Sequence, residues 1–163
     1  MTMLINKQFM DKLSTQARTS PRLRSHFCMH QSHQDLVQRV YIGAEPGTYV
    51  RPHAHMASHK WEYISIARGA MDFLVFSPQG ALEQRIPLRV AGEITAIEIA
   101  PGTWHSLLVQ EADTIFFEVK QGPFDAANNA DFADWAPEED SAGVDIFMKS
   151  LSGLSVGAKI NNI

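Results

Sequence analysis

Three short stretches hold the residues able to do chemistry: Gly47-Thr48-Tyr49-Val50-Arg51-Pro52-His53-Ala54-His55, then Glu62, then Pro101-Gly102-Thr103-Trp104-His105. In an extended strand, side chains two apart share a face, so His53 and His55 can both point into one interior. Their Cα atoms are then about 6.5–7 Å apart, near enough for two imidazoles to lean toward one ion. Glu62 has the parity of Ile64 and Ile66, and it points inward if those isoleucines line a core. A lone buried carboxylate is costly unless it is paired or bound to a cation. His105 follows a Pro-Gly turn, where one strand returns beside another, and would bring a further imidazole from a distant part of the chain. The chemistry these types support together is coordination of one divalent cation. His59 lies in the same gap as Glu62 and is the alternative fourth ligand; otherwise it is a solvated loop histidine.

These residues need elements to position them. Phe9, Met10, Leu13 and Ala17 recur at three- and four-residue spacings and predict a short amphipathic helix over Asn6 to Ala17, interrupted at Ser20-Pro21. From His26 to Gly122 the period changes to two. Val37–Ile42, Trp61–Arg68, Met71–Phe76, Leu82–Val90, Thr95–Ile99 and Thr114–Lys120 read as strands, with Gly69 and Ser77-Pro78-Gln79-Gly80 as turn chemistry. Short strands at regular spacing without long intervening helices predict an all-β sandwich or barrel. Beyond Gly122-Pro123 the chain is irregular and acidic. Phe124, Phe132 and Trp135 are too many aromatics for a free linker, so this part is expected to pack across the barrel. The expected organisation is one domain: a helix and lead-in over 1–22, a barrel over 23–123, a C-terminal wrap over 124–151, and a mobile Gly/Ser/Asn-rich tail over 152–163.

A length of 163 residues suits a single domain with its own core. A net charge of −4 provides no concentrated basic field for nucleic acid or an anionic membrane. The single cysteine, Cys28, cannot form an internal disulfide, and it reads as a small apolar residue rather than a nucleophile. No apolar run is long enough to cross a bilayer, and Met1 to Leu13 lacks the apolar core of a signal peptide. The expected setting is cytoplasmic.

The motifs bring a family into view. Gly47, five residues, His53-x-His55, then Glu62, six residues and Gly69 resembles the first cupin motif. Pro101-Gly102-x-x-His105 resembles the second. Six residues separate His55 from Glu62 where three or four are common, and the asparagine usual after the second-motif histidine is absent, with Leu108 and Val109 there. A wider set of stretches, across about residues 15 to 140, resembles the WbuC family of cupin fold metalloproteins. These are Ser20-Pro21-Arg22-Leu23-Arg24, Val37-Gln38-Arg39, Pro46–His53, Glu118-Val119-Lys120-Gln121-Gly122-Pro123-Phe124 and Asp134–Glu138. The resemblance implies a single cupin jelly-roll barrel with one divalent metal and a link to bacterial surface-polysaccharide biosynthesis.

A set of three imidazoles and one carboxylate suits Fe, Mn, Ni, Co or Zn. Four protein ligands leave open positions on a five- or six-coordinate ion, so Lewis-acid or oxygen-activating chemistry is available. The leading expectation is a metal-dependent enzyme (an isomerase, lyase or oxygenase) acting on a small sugar-derived or anionic molecule. A non-catalytic metal- or carbohydrate-binding domain and a closed structural metal site are the alternatives. Arg51, Tyr49 and Lys60 flank the motif and either orient an anionic substrate or are ordinary strand-end residues. Trp104 either packs or floors a sugar site. Glu118 and Lys120 share a face with Phe116; if it is internal, Glu118 is a partner for a ligand imidazole. His30 is placed at the pocket mouth, and His26 and His33 in solvent. Exposed sheet edges make a homodimer plausible.

Overall fold

Asn6 starts the first helix by accepting a hydrogen bond from the Phe9 N–H on its side chain, an N-cap that satisfies one of the orphan donors of the first turn. The computed structural model describes residues 2–125 and 130–160. In chain order they form α1 (Lys7–Thr19), β1 (Arg24–Cys28), β2 (Val37–Ala44), β3 (His53–Ala54), β4 (Glu62–Arg68), β5 (Ala70–Phe76), β6 (Leu82–Arg89), β7 (Ala96–Ile99), β8 (Trp104–Val109), β9 (Thr114–Gln121), β10 (Asp131–Phe132) and α2 (Val144–Gly153). Among the described residues the strands make two five-stranded sheets. One has the order β1-β2-β9-β4-β7 and the other β10-β3-β8-β5-β6. Every strand pairing is antiparallel. The expected all-β class, the N-terminal helix and a C-terminal extension on the barrel are all present. No helix among the described residues is long and apolar enough to cross a membrane.

The inner faces of the two sheets meet in one core, including Ile42, Ile64, Ile66, Met71, Phe73, Leu107 and Phe116. The inward parity of Ile64 and Ile66 carries Glu62 with it. A second apolar cluster lies on the other side of the β5-β6-β8 sheet, where Leu74, Phe76, Leu82 and Leu108 pack under Ala133, Ala136, Phe147, Leu151 and Ile160. That sheet is therefore covered on both faces, which is why β5 reads as a nearly continuous apolar run rather than an alternation. On the opposite side of the barrel α1 lies across β1 and β2. Leu13 and Ala17 are buried there, and Phe9 meets Phe27 and Tyr41 edge-on at 5.1 and 5.5 Å. Gly43 permits the close approach, since a Cβ there would lie 3.0 Å from the Leu13 carbonyl oxygen.

Four elements lie outside the predicted strands and helix: β1, β8, the two-residue β10 within the segment read as irregular, and α2. β1 and β8 are short strands whose polar and apolar residues mask the period, and β8 buries both faces. Helix α2 forms inside the segment read as irregular, and Val144, Phe147, Met148 and Leu151 supply its apolar stripe. The tail expected to be mobile is instead tied down over residues 154–160. The Leu82 N–H donates to the Ala158 carbonyl, the Gly157 N–H to Leu82 and the Ile160 N–H to Gly80, and Ile160 is buried. The last three residues of that expected tail, 161–163, and residues 126–129 of the expected wrap lie outside the described residues.

Candidate metal centre

Two strands of one sheet and one of the other bring the imidazoles and the carboxylate together. His53 on β3 and His105 on β8 are direct cross-strand partners. His55 follows just past β3, and Glu62 opens β4 in the facing sheet. One ligand atom from each of His53, His55 and His105 lies within 4.8 Å of the others. Glu62 reaches across to two of them: Oε1 is 3.1 Å from His55 Nε2, and Oε2 is 3.3 Å from His105 Nε2. His55, Glu62 and His105 are all buried. The ring of Phe73 stacks on His105 at 5.3 Å and holds its plane.

The proton positions bear on what fits here. His53 Nδ1 lies 2.8 Å from the Arg51 carbonyl oxygen, and His105 Nδ1 lies 2.9 Å from that of Thr103. A carbonyl only accepts, so each Nδ1 carries the proton it donates, and each Nε2 is left to face the cluster. Nε2 of His105 and of His55 both face the Glu62 carboxylate, so that the unprotonated rings and the carboxylate would share one cation as common ligands. Two donors each about 2.1 Å from a shared ion stand about 3.0 Å apart at a right angle and about 3.4 Å apart at the tetrahedral angle. The two Glu62 separations fall in that interval. Burial first, then the neighbouring His105 charge, pushes the pKa of His53 down to about 3, so this ring stays neutral and able to ligate. Burial alone would raise the Glu62 carboxyl; the hydrogen bonds from His105 and His55 and the ammonium of Lys120 outweigh it and hold it well below the ordinary value. The residues present fit a divalent cation.

The cluster sits in a cavity of about 240 Å³ between the sheets. Arg51, Phe132, Glu118, Lys120, Arg22, Arg24, His26 and Glu139 also line it. Of the residues flanking the motif, only Arg51 reaches this cavity. Its guanidinium donates to the Ala133 carbonyl at 3.1 Å and lies 5.2 Å from the centre of the Phe132 ring. Tyr49 is buried in the second apolar cluster, where its hydroxyl donates to the Pro137 carbonyl at 2.8 Å. Lys60 is half-buried on the loop before β4 and does not line the cavity. His59 is exposed on that loop, and Glu62, not His59, lies beside the imidazoles. Trp104 packs against the second cluster, on the face opposite His105. His30 accepts from the Arg39 N–H through Nδ1 and, with His33, lines a neighbouring hollow rather than this one.

Sequence reasoning missed Lys120 as a site residue. It is the cross-strand partner of Glu62, and its ammonium lies 3.3 Å from Glu62 Oε1 and 2.8 Å from Glu118 Oε1. Glu118 therefore pairs with Lys120 instead of supporting an imidazole. The shared parity of Phe116, Glu118 and Lys120 was the available signal; which face was internal could not be read from β9 alone. Arg22 and Arg24 were also missed. Both bind Glu139, Arg22 Nε at 3.0 Å and Arg24 by a two-pronged contact at 2.8 and 2.9 Å, a meeting of residues more than a hundred positions apart.

Two facing antiparallel sheets with histidines converging between them define a cupin-type double-stranded β-helix. Solved structures agree on the fold. A Klebsiella pneumoniae protein with a double-stranded β-helix domain is 16% identical with a TM-score of 0.55, over 82% of this chain and 99% of that one. A Shewanella oneidensis protein is 15% identical with a TM-score of 0.55, over 68% and 73%. The salicylate 1,2-dioxygenase of Pseudoaminobacter salicylatoxidans, solved with gentisate, is 10% identical with a TM-score of 0.56, over 79% of this chain and 37% of that one. By sequence, the family described as Domain of unknown function (DUF6016) matches residues 5–88, and the chain belongs to that family. No curated protein matches it.

Proposed function

We propose that this protein is a divalent-metal-binding cupin, and that it is a metal-dependent enzyme acting on a small sugar-derived or anionic molecule. His53, His55, His105 and Glu62 would hold the ion. The observation that carries the reading is the convergence of His53, His55 and His105 within 4.8 Å of one another, with Glu62 oxygens 3.1 and 3.3 Å from Nε2 of His55 and His105, on the wall of a cavity. A bound divalent ion would supply Lewis-acid polarisation of a substrate oxygen or, for a redox-active ion, electron transfer. The chain's own contribution is to bind and orient. Lys120 keeps the Glu62 carboxylate turned to the cluster, Phe73 fixes the His105 ring, and Arg51 and Phe132 wall the mouth. The stretches resembling the WbuC family support a role in bacterial surface-polysaccharide biosynthesis, the single Cys28 a reducing, cytoplasmic setting, and the exposed sheet edges a homodimer.

One observation favours a second reading. Among the described residues, Lys120 and the cavity carboxylates Glu62, Glu118 and Glu139 are engaged in ion pairs, and none is poised as a separate general base. A non-catalytic metal- or carbohydrate-binding domain has that character. Elemental analysis of the protein purified without added metal or chelator tests the common core of both readings. Stoichiometric metal in the wild type, absent from the His53→Ala/His105→Ala double variant, is expected; equal metal in the two proteins refutes the assignment. Turnover in a screen of nucleotide sugars and keto-acids separates an enzyme from a binding domain. Azide added to a cobalt-substituted sample shifts the spectrum if the ion keeps an open position and leaves it unchanged if the site is closed.

A further inference from the structure

The metal cavity does not end at the cluster. A second hollow of about 360 Å³ runs along the same sheet past β1 and β2, and the two share Arg22, His26, Ile42, Glu118 and Lys120 as a common wall. His26 stands at the rim of both and is exposed to solvent, as expected from its sequence position. Arg22 spends only its Nε on Glu139, at 3.0 Å, and is half-exposed. No other contact of its guanidinium is seen among the described residues, so the two terminal nitrogens remain a two-pronged donor. Lys120 engages two carboxylates and lines both hollows, which leaves a third ammonium N–H. With Arg24, three permanent cations meet three carboxylates, Glu62, Glu118 and Glu139, at this junction, and an ion on the cluster would take up Glu62 and leave three cations against two.

The geometry points to Arg22, His26 and Lys120 as a binding site for a carboxylate or phosphate group of the ligand whose other end reaches the metal cluster. This rests on reading the cavity as a ligand site, and it narrows the ligand to an elongated anion spanning two hollows. A guanidinium fork, an imidazole N–H and an ammonium are the donors that planar or tetrahedral oxyanions use. Partial burial of the ring first, then the charges of Arg22 and Lys120, lower the pKa of His26 against the opposing Glu139 carboxylate. An arriving anion relieves that repulsion.

The test is a titration of the full-length protein, as purified, with inorganic phosphate and separately with acetate at constant ionic strength, followed by NMR of the Arg22 Nε–H and His26 ring signals. Metal content is measured on the same samples. Phosphate is expected to move both signals saturably, and Arg22→Gln and His26→Gln are each expected to weaken binding by about tenfold with metal content unchanged. A response to both probes supports a general oxyanion site, and a response to phosphate alone supports a phosphorylated ligand. Signals that do not move in the wild type, or variants that bind phosphate as the wild type does, overturn the proposal. The His53→Ala/His105→Ala double variant separates this from the metal reading. Metal retained by that variant defeats the metal assignment, and its phosphate response still decides the anion site.

Discussion

Lys120→Met keeps the length of the side chain and deletes its charge, leaving Glu62 and Glu118 without the ammonium between them. At an effective dielectric of about 20, contacts of 3.3 and 2.8 Å are each worth about 5–6 kcal/mol of Coulomb attraction, before the desolvation of the charges is subtracted. Removing one partner of a buried pair generally costs about 3–5 kcal/mol net, and that is the expected loss of stability in chelator-treated protein. A divalent ion on the imidazoles takes over the neutralisation of Glu62, and only the more accessible Glu118 is then orphaned. The loss in metal-loaded protein should be about 1–2 kcal/mol. For a chain of this size those losses correspond to a melting-point drop of about 8–15 °C without metal and about 3–6 °C with it. The thermodynamic cycle then requires the folded variant to bind the ion about 2–3 kcal/mol more tightly than the wild type, because a neighbouring positive charge has been removed. Urea unfolding followed by the fluorescence of the three tryptophans, with chelator and with saturating Zn(II), measures both arms. An equal loss in the two conditions, or no loss in either, refutes the idea that Lys120 and the ion share Glu62.

Acid should destabilise the metal-free protein through His53. Its folded pKa is depressed to about 3, so between the ordinary value of 6.5 and about 3 the unfolded chain binds the extra proton. Stability is then present above pH 6.5 and falls toward pH 3 by up to about 1.4 kcal/mol per pH unit, and His53→Gln should flatten that slope in urea titrations at stepped pH. Glu62, also depressed, adds a loss confined below its ordinary value of 4.5. Gly69→Ala should cost about 3 kcal/mol: φ is +74° there, and the new Cβ would sit 2.9 Å from the Thr114 Cα, backbone that cannot move aside. A melting temperature within about 2 °C of wild type would contradict this. Tyr49→Phe should lose about 1 kcal/mol from its hydrogen bond to Pro137 while leaving metal content unchanged, as a residue of the second apolar cluster rather than of the cavity. Metal loss in that variant would return Tyr49 to the site.

How far the site was legible depends on the range over which each signal acts. Parity along a strand is local, so the inward direction of Glu62 followed from Ile64 and Ile66, and the shared face of His53 and His55 from their spacing. The Pro-Gly turn likewise placed His105 at a strand start, and the structure sets it directly across from His53. Helix α2 was legible in principle, since its apolar stripe has helical spacing, but the acidic residues before it obscured its start. The mobile-tail expectation failed because composition reports what a segment lacks and not what it is pinned to. Ile160 is one apolar residue in a polar run, and it is buried because the chain passes over the strand at Leu82.

The residue pattern alone was therefore enough for an all-β barrel, its N-terminal helix and a set of imidazoles and a carboxylate suited to one cation. Each of these follows from spacing within a few residues and from the cost of burying charge. The partners of that set were decided by tertiary structure: Lys120 against Glu62, Glu139 between Arg22 and Arg24, and Tyr49 turned away from the cavity. Those contacts depend on which sheet faces which and on the register between strands, and nothing within one strand encodes either.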